Sequence, residues 1–247
     1  MDTLQLLVDE HRPNHRQGPG DDAETMRALS LAGLDRSRRL KIADIGCGTG
    51  ASSFVLAREL DCAITAVDFL PDFLEELQIR AKELGLAERI TTLACSMDDL
   101  PFVENEFDVI ISEGAIYNMG FEVGVSYWKR FLKPGGALIV SEITWLTAER
   151  PEEIDSYWKT QYAEIDLASS KMAVLERNGY TPIGYFVLPP SCWLENYYRP
   201  LQRRHAEFLA SHGCSDEAKQ VVAVDEEEVR MYETYGAYYG YGMYVAK

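Results

Sequence analysis

The stretch "ADIGCGTGASSF", residues 43–54, decides how this chain is read. A short apolar run, "LKIADI" (40–45), leads into three closely spaced glycines, and a helically spaced segment, "ASSFVLAREL" (51–60), follows them. A strand, a glycine loop and a helix in that order present backbone N–H groups to a ligand at the edge of a sheet. Gly46, Gly48 and Ala51 satisfy the dinucleotide spacing G-x-G-x-x-G/A, and Gly46, Gly48 and Gly50 the tighter G-x-G-x-G. Spacing alone does not choose between them.

Outward from the loop, strands alternate with helices. "AITAVDF" (63–69), "ITTLACS" (90–96), "FDVIISE" (107–113) and "ALIVSEI" (137–143) read as short buried strands. "DDAETMRALSLAGL" (21–34) reads as a helix with Asp21 as N-cap, and "PDFLEELQIRAKELGL" (71–86) as one opened by Pro71 and closed by Gly85. "VSYWKRFLKPGG" (125–136) reads as a helix running into a turn. Apolar runs of about five residues separated by helices of about ten or more imply a parallel sheet covered on both faces. Past residue 145, helical stretches at about 151–164, 167–178 and 192–230 flank a strand at 181–188, and a tyrosine-rich strand closes the chain at 238–246.

The expected fold is α/β: a Rossmann-like, doubly wound, mostly parallel seven-stranded sheet forming a single domain over 1–247. Its core covers about 35–145 plus the strands near 181–188 and 238–246. The N-terminal helices (1–34) and a helical insert (about 146–235) are expected to cap the ligand edge.

Composition narrows the function. A formal charge of −16 removes the basic face that a general nucleic-acid binder needs. "DRSRRLK" (35–41), a dense basic stretch, reads as a solvated turn. Five cysteines without C-x-x-C spacing fit a reducing cytoplasm. The first residues lack the order of a signal peptide, and no apolar run reaches the length of a membrane span. His11 and His15 are separated by Pro13, which spoils the helix that would align them, so no metal is expected. A monomer or homodimer is expected.

Asp44, two positions before the first glycine, decides the ligand. A carboxylate there would face a dinucleotide's pyrophosphate across a poorly screened pocket, at a cost on the order of several kcal/mol. A ligand carrying an ammonium and a sulfonium reverses the sign, and S-adenosylmethionine is such a ligand. Asp68, eighteen residues after Gly50 at the next strand's end, is placed to accept hydrogen bonds from a ribose diol. It is expected to face the ligand and to matter little to stability.

With these residues in place, the chain resembles the class I S-adenosylmethionine-dependent methyltransferases, in particular the small-molecule type of ubiquinone and menaquinone biosynthesis. "ADIGCGTG" is similar to that family's first motif, "AVDF" to its second and "CSMDDLPF" (95–102) to its third; "FDVIISEGAIYN" and "LKPGGALIVSE" complete the set. The resemblance covers roughly 40–145, and "RQGPG" (16–20) and "AIYNMGFE" resemble a bacterial branch that implies no particular acceptor.

The resemblance implies that Asp44, Gly46, Cys47, Gly48 and Gly50 hold the amino-acid end of the cofactor and Asp68 its ribose. Phe69 would lie against the adenine. Ser96 stands where the family has an aspartate for the adenine amine, and Met97 offers a backbone amide. Glu113, at the fourth strand's end, is a candidate base and cofactor contact, with Tyr117 as a second catalytic candidate. Gln17, Gly18, Asn118, Trp145 and Trp193 are candidate acceptor contacts. Two or three of the insert aromatics (Trp145, Tyr157, Trp158, Tyr162, Trp193, Tyr197, Tyr198) are expected to line the pocket. The alternatives are a cofactor-binding protein without catalysis, an NAD-linked oxidoreductase, which Asp44 disfavours, and an arsenite methyltransferase, for which the cysteines are too dispersed.

Overall fold

The computed structural model describes residues 3–247. Its centre is β1 (Leu40–Ile45), which pairs in parallel with β2 (Cys62–Asp68) on one side and β4 (Phe107–Ser112) on the other. Both faces of a central parallel strand are covered, so Ile42, Ala43, Asp44 and Ile45 are all buried. β3 (Ile90–Ala94) extends the sheet beyond β2, and β5 (Leu132–Trp145), β8 (Tyr239–Ala246) and β7 (Pro182–Val187) extend it beyond β4, in the order β3-β2-β1-β4-β5-β8-β7. β8 runs antiparallel to both its neighbours. A two-residue strand, β6 (Asp166–Leu167), pairs with the end of β5, so the sheet has eight strands where seven were expected.

Helices close where local chemistry stops them. In α2 (Asp22–Ala32), Asp21 accepts the Ala23 N–H, and Gly33 ends the helix at φ 54°. α3 (Ala51–Glu59) begins at Gly50, and α4 (Pro71–Glu83) carries Pro71 in its first turn. α5 spans Phe121–Lys129, earlier than the 125–136 expected. The Phe131 carbonyl accepts the Glu106 and Phe107 N–H groups, which pulls residues 132–136 into β5.

The expected helix at 192–230 is also divided. It comprises α8 (Pro190–Trp193), a π-helical turn (Leu194–Tyr198), α9 (Arg199–Ser211) and α10 (Asp216–Tyr235). Gly213 and Cys214, both left-handed (φ 62° and 51°), break the chain before Ser215 caps α10. Two more helices, α6 (Glu152–Gln161) and α7 (Ala168–Arg177), precede β7, and α1 (Thr3–His11) opens the described chain.

Strand alternation sorts the core. Leu40 and Ile42 of β1 pack on one face with α2, α3, α4 and the insert aromatics, and Ala43 and Ile45 on the other with Phe121, Val125 and Trp128 of α5. Charge anchors the sheet's amino end. Asp108 of β4, buried, accepts Arg38 Nη2 at 2.7 Å, the Lys41 N–H at 2.8 Å and Lys133 Nζ at 2.9 Å. Burial opposes its charge, but these three donors outweigh burial and hold the carboxyl down at about 2.

A carboxyl held below its unfolded value stabilises the fold above about pH 4, and that contribution is lost as pH falls towards about 2. Asp108→Asn should therefore cost about 1–3 kcal/mol at neutral pH. In a chain of this length that lowers Tm by roughly 2–12 °C. Thermal melts should show the gap to wild type closing as pH falls through that window.

Candidate active site

The site is built at the carboxyl ends of β1, β2 and β4, where a doubly wound sheet switches strand order. Asp44 is 1% exposed, and its Oδ2 accepts the Ser53 hydroxyl of α3 at 2.7 Å. Burial raises its pKa; the Ser53 bond offsets part of this, and the charges of Glu113 and Asp68 add to the rise, so it reaches about 7. The chain then turns through Gly46 (φ 73°) and Gly48 (φ 53°). A Cβ on Gly46 would lie 2.3 Å from the Ala115 Cβ, so only glycine lets the loop pass under the β4 turn.

The loop is braced from three directions. Gly46 and Cys47 donate their N–H groups to the Val67 carbonyl, and Gly48 donates to Asp68 Oδ2 at 2.8 Å. Thr49 donates its N–H and its hydroxyl to Gln17 Oε1, at 2.9 and 3.0 Å. Gln17 Nε2 in turn donates to the Asn14 and His11 carbonyls, while Arg80 of α4 donates to Asn14 O and Thr49 Oγ1. The N-terminal segment, the glycine loop and α4 are thus one hydrogen-bonded unit.

Over this unit lies a cavity of about 680 Å³. Among the described residues its wall holds four carboxylates, Asp44, Asp68, Asp98 and Glu113, against one guanidinium, Arg16. Glu113 is already engaged: Oε2 lies 3.3 Å from Arg16 Nη1, and Oε1 accepts the Thr25 hydroxyl at 2.7 Å. A carboxylate tied on both oxygens is better suited to orient a partner than to accept a proton. Tyr117 stands in a short helical turn (Ile116–Asn118), 41% exposed and facing the cavity. Burial of its phenol, reinforced by the Glu228 charge, raises its pKa, so it stays a protonated donor near neutral pH.

Most of the expected residues converge here. Asp44, Gly46, Cys47, Gly48, Asp68, Phe69, Ser96, Met97, Glu113, Tyr117, Asn118, Gln17 and Gly18 all line the cavity. Gln17 spends its amide bracing the glycine loop. Gly50 stands outside the wall and starts α3. Burial pushes the Cys47 thiol up, so it stays protonated.

Trp145 and Trp193 do not reach the cavity, contrary to expectation. Trp145 pairs across β8 with Tyr239, and Trp193 stacks on Tyr232 at 4.5 Å, 2% exposed. Of the seven insert aromatics only Tyr197 lines the wall. The others pack the insert against the sheet, because their area is worth more in that core than at a half-wet wall. The cap is chiefly α1, through Leu4, Leu7, Val8 and His11, with residues 16–19. Arg16 and Asp98 were not singled out, and His11 was weighed only with His15, as a metal pair. "RQGPG" and "CSMDD" carried Arg16 and Asp98, but nothing local marks which polar side chain turns inward.

Asp68 differs in a second respect. Both its oxygens accept backbone N–H groups, Oδ2 from Gly48 and Oδ1 from Leu70 at 2.9 Å. It supports the loop as well as facing the cavity.

A family model described as a methyltransferase domain matches residues 36–204. The chain is similar to an S-adenosylmethionine-dependent methyltransferase from Geobacter sulfurreducens, solved with S-adenosyl-L-homocysteine (TM-score 0.84, 20% identity, 99% of this chain and 97% of that one). It is also similar to the 4+2 cyclase SpnF (TM-score 0.71, 27% identity, 92% and 80%). Among curated proteins, it is 34% identical over 109 residues to the demethylmenaquinone methyltransferase of Tropheryma whipplei, 42% of each chain. The chain spans about half or less of the length of the curated relatives it matches first.

Because Asp68 accepts two loop N–H groups, Asp68→Ala should destabilise the ligand-free chain by about 1–3 kcal/mol. Calorimetric melts should show Tm lower by several degrees, with Asp68→Asn intermediate. An unchanged Tm would mean the loop stands without this brace.

Proposed function

Because the chain belongs to the methyltransferase-domain family, we propose that it is an S-adenosylmethionine-dependent methyltransferase acting on a small molecule. One observation carries the cofactor: among the described residues the cavity wall sets four carboxylates against a single guanidinium. That charge pattern repels a pyrophosphate and suits a ligand bearing an ammonium, a sulfonium and one carboxylate.

In this reading the cofactor's ammonium lies towards Asp44 and its carboxylate towards Arg16, which Glu113 and Asp22 hold in place at 3.3 and 2.7 Å. Asp68 keeps lone pairs for the ribose diol. Phe69, Ser96 and Met97 bound the adenine, and Asp98 supplies the acceptor for its amine that Ser96 lacks. Tyr117 and Asn118, with Tyr197 and the α1 side chains, form the acceptor side.

The cofactor supplies an activated methyl. When bound, it would give that methyl to the acceptor atom, the sulfur–methyl electron pair staying on sulfur. The protein aligns the three atoms and excludes water. Tyr117, a protonated donor, orients the acceptor, and a proton released by it leaves to solvent. Glu113 acts through Arg16 rather than as the base.

The net charge of −16 supports a small molecule over a nucleic acid as acceptor. No described helix is long and apolar enough to cross a membrane. The cysteines of the described chain are all free, which supports the cytoplasm, and the reading takes a monomer or homodimer. The likeness to a cyclase, together with the engaged Glu113, supports one alternative: binding of the cofactor without methyl transfer.

Calorimetry should give micromolar binding of S-adenosylhomocysteine and none of NAD. Arg16→Met, which removes a charge-assisted contact of about 1.5–3 kcal/mol, should weaken binding roughly 10- to 150-fold. Preference for NAD would overturn the cofactor. Tight S-adenosylhomocysteine binding without its formation from S-adenosylmethionine, across a broad panel of small acceptors, would favour the alternative.

A further inference from the structure

Behind the cavity wall, α1, α9 and α10 meet around Leu6, Phe208, Ala218 and Val221. Beside that contact each helix contributes a metal-binding side chain: Glu10 and His11 from α1, His205 from α9 and Asp225 from α10. Glu10 is 1% exposed, and neither of its carboxylate oxygens has a hydrogen-bond partner. His11 Nδ1, His205 Nε2 and Asp225 Oδ2 are likewise buried and unpartnered. The donor atoms of Glu10, His11 and Asp225 all lie within 4.8 Å of one another. His205 Nε2 is 3.3 Å from Glu10 Oε1 and 3.8 Å from Asp225 Oδ2.

A carboxylate on the far side of the ring sets the direction of His205. Its Nδ1 lies 3.1 Å from Glu226 Oε1, and its Nε2 faces two carboxylates. The nearby cation does not fill the gap, because Arg204 donates to the Glu10 carbonyl and to Asn14 Oδ1. Buried carboxylates and imidazole nitrogens set this close are relieved either by protons shared among them or by a bound cation.

We infer that Glu10, His11, Asp225 and His205 form a binding site for a divalent first-row transition metal, zinc being the best fit. The donors of Glu10, His11 and Asp225 match the three protein ligands of a zinc site, and His205 approaches its two carboxylates as a further donor, while magnesium and calcium want six or more oxygens. The ion would clamp α1 to α9 and α10. His11 also lines the cavity and stacks on Tyr197 at 6.2 Å, so the clamp would set the position of the cavity wall. This site does not depend on the methyltransferase reading.

The test is titration of the chelator-treated full chain with zinc, followed by calorimetry and thermal melting, with cobalt as a spectroscopic probe. One equivalent should bind with micromolar or tighter affinity and raise Tm by several degrees. Cobalt should give ligand-field bands without a thiolate charge-transfer band. Asp225→Asn and the outer-shell variant Glu226→Gln should each weaken binding at least about tenfold, while Asp216→Asn, exposed on the first turn of α10, should not. If Asp225→Asn fails to fold, Glu226→Gln decides. No saturable binding by the folded wild type, a thiolate band, or undiminished affinity in both cluster variants would overturn the site and leave shared protons as the cation.

Discussion

The structure depends on a carboxylate that the fold buries at the end of its central strand. Asp44 has one side-chain hydrogen bond, from Ser53, and two acidic neighbours, and its pKa reaches about 7. An acid raised this way stabilises the ligand-free fold least where it must ionise, so that contribution is lost as pH rises through about 7. A positive group beside it reverses the penalty. On the proposed reading, the same position that weakens the empty protein selects a cationic ligand over a pyrophosphate.

Everything around Asp44 acts to hold that end of the strand open. Glycine at 46 lets the loop pass Ala115, and Asp68, Gln17 and Arg80 fix the loop's polar groups. Because Gln17 also binds the His11 carbonyl, the cofactor loop and α1 are mechanically joined. A ligand that orders the loop orders the cavity's cap. The polar cluster behind α1 bears on the same wall from the opposite side.

Legibility followed the range of the interactions. Parallel strands buried on both faces leave short apolar runs, and a glycine loop between strand and helix leaves its spacing, so the sheet and the Asp44–Asp68 pair were readable. Pairings between distant residues were not. Glu113 meets Arg16 and Thr25 across 97 and 88 positions, contacts that no local pattern around it announces. Trp145 and Trp193 misled for a different reason: an aromatic side chain suits a pocket wall and a core equally well, and only packing decides. His11 and His15 were weighed as a pair because they are near in sequence. The structure instead groups His11 with Glu10 and Asp225, which His205 also approaches, on helices whose break at 213–214 was not foreseen.

The most direct test is the pH dependence of S-adenosylhomocysteine binding, with proton release followed calorimetrically in buffers of different ionisation enthalpy. The cofactor's ammonium should pull the Asp44 proton off. Affinity should then tighten as pH rises through about 7 with release of up to one proton, and Asp44→Asn should bind more weakly with neither effect. Affinity that is flat with pH in the wild type, or that improves in Asp44→Asn, would contradict the claim that this buried charge selects the ligand.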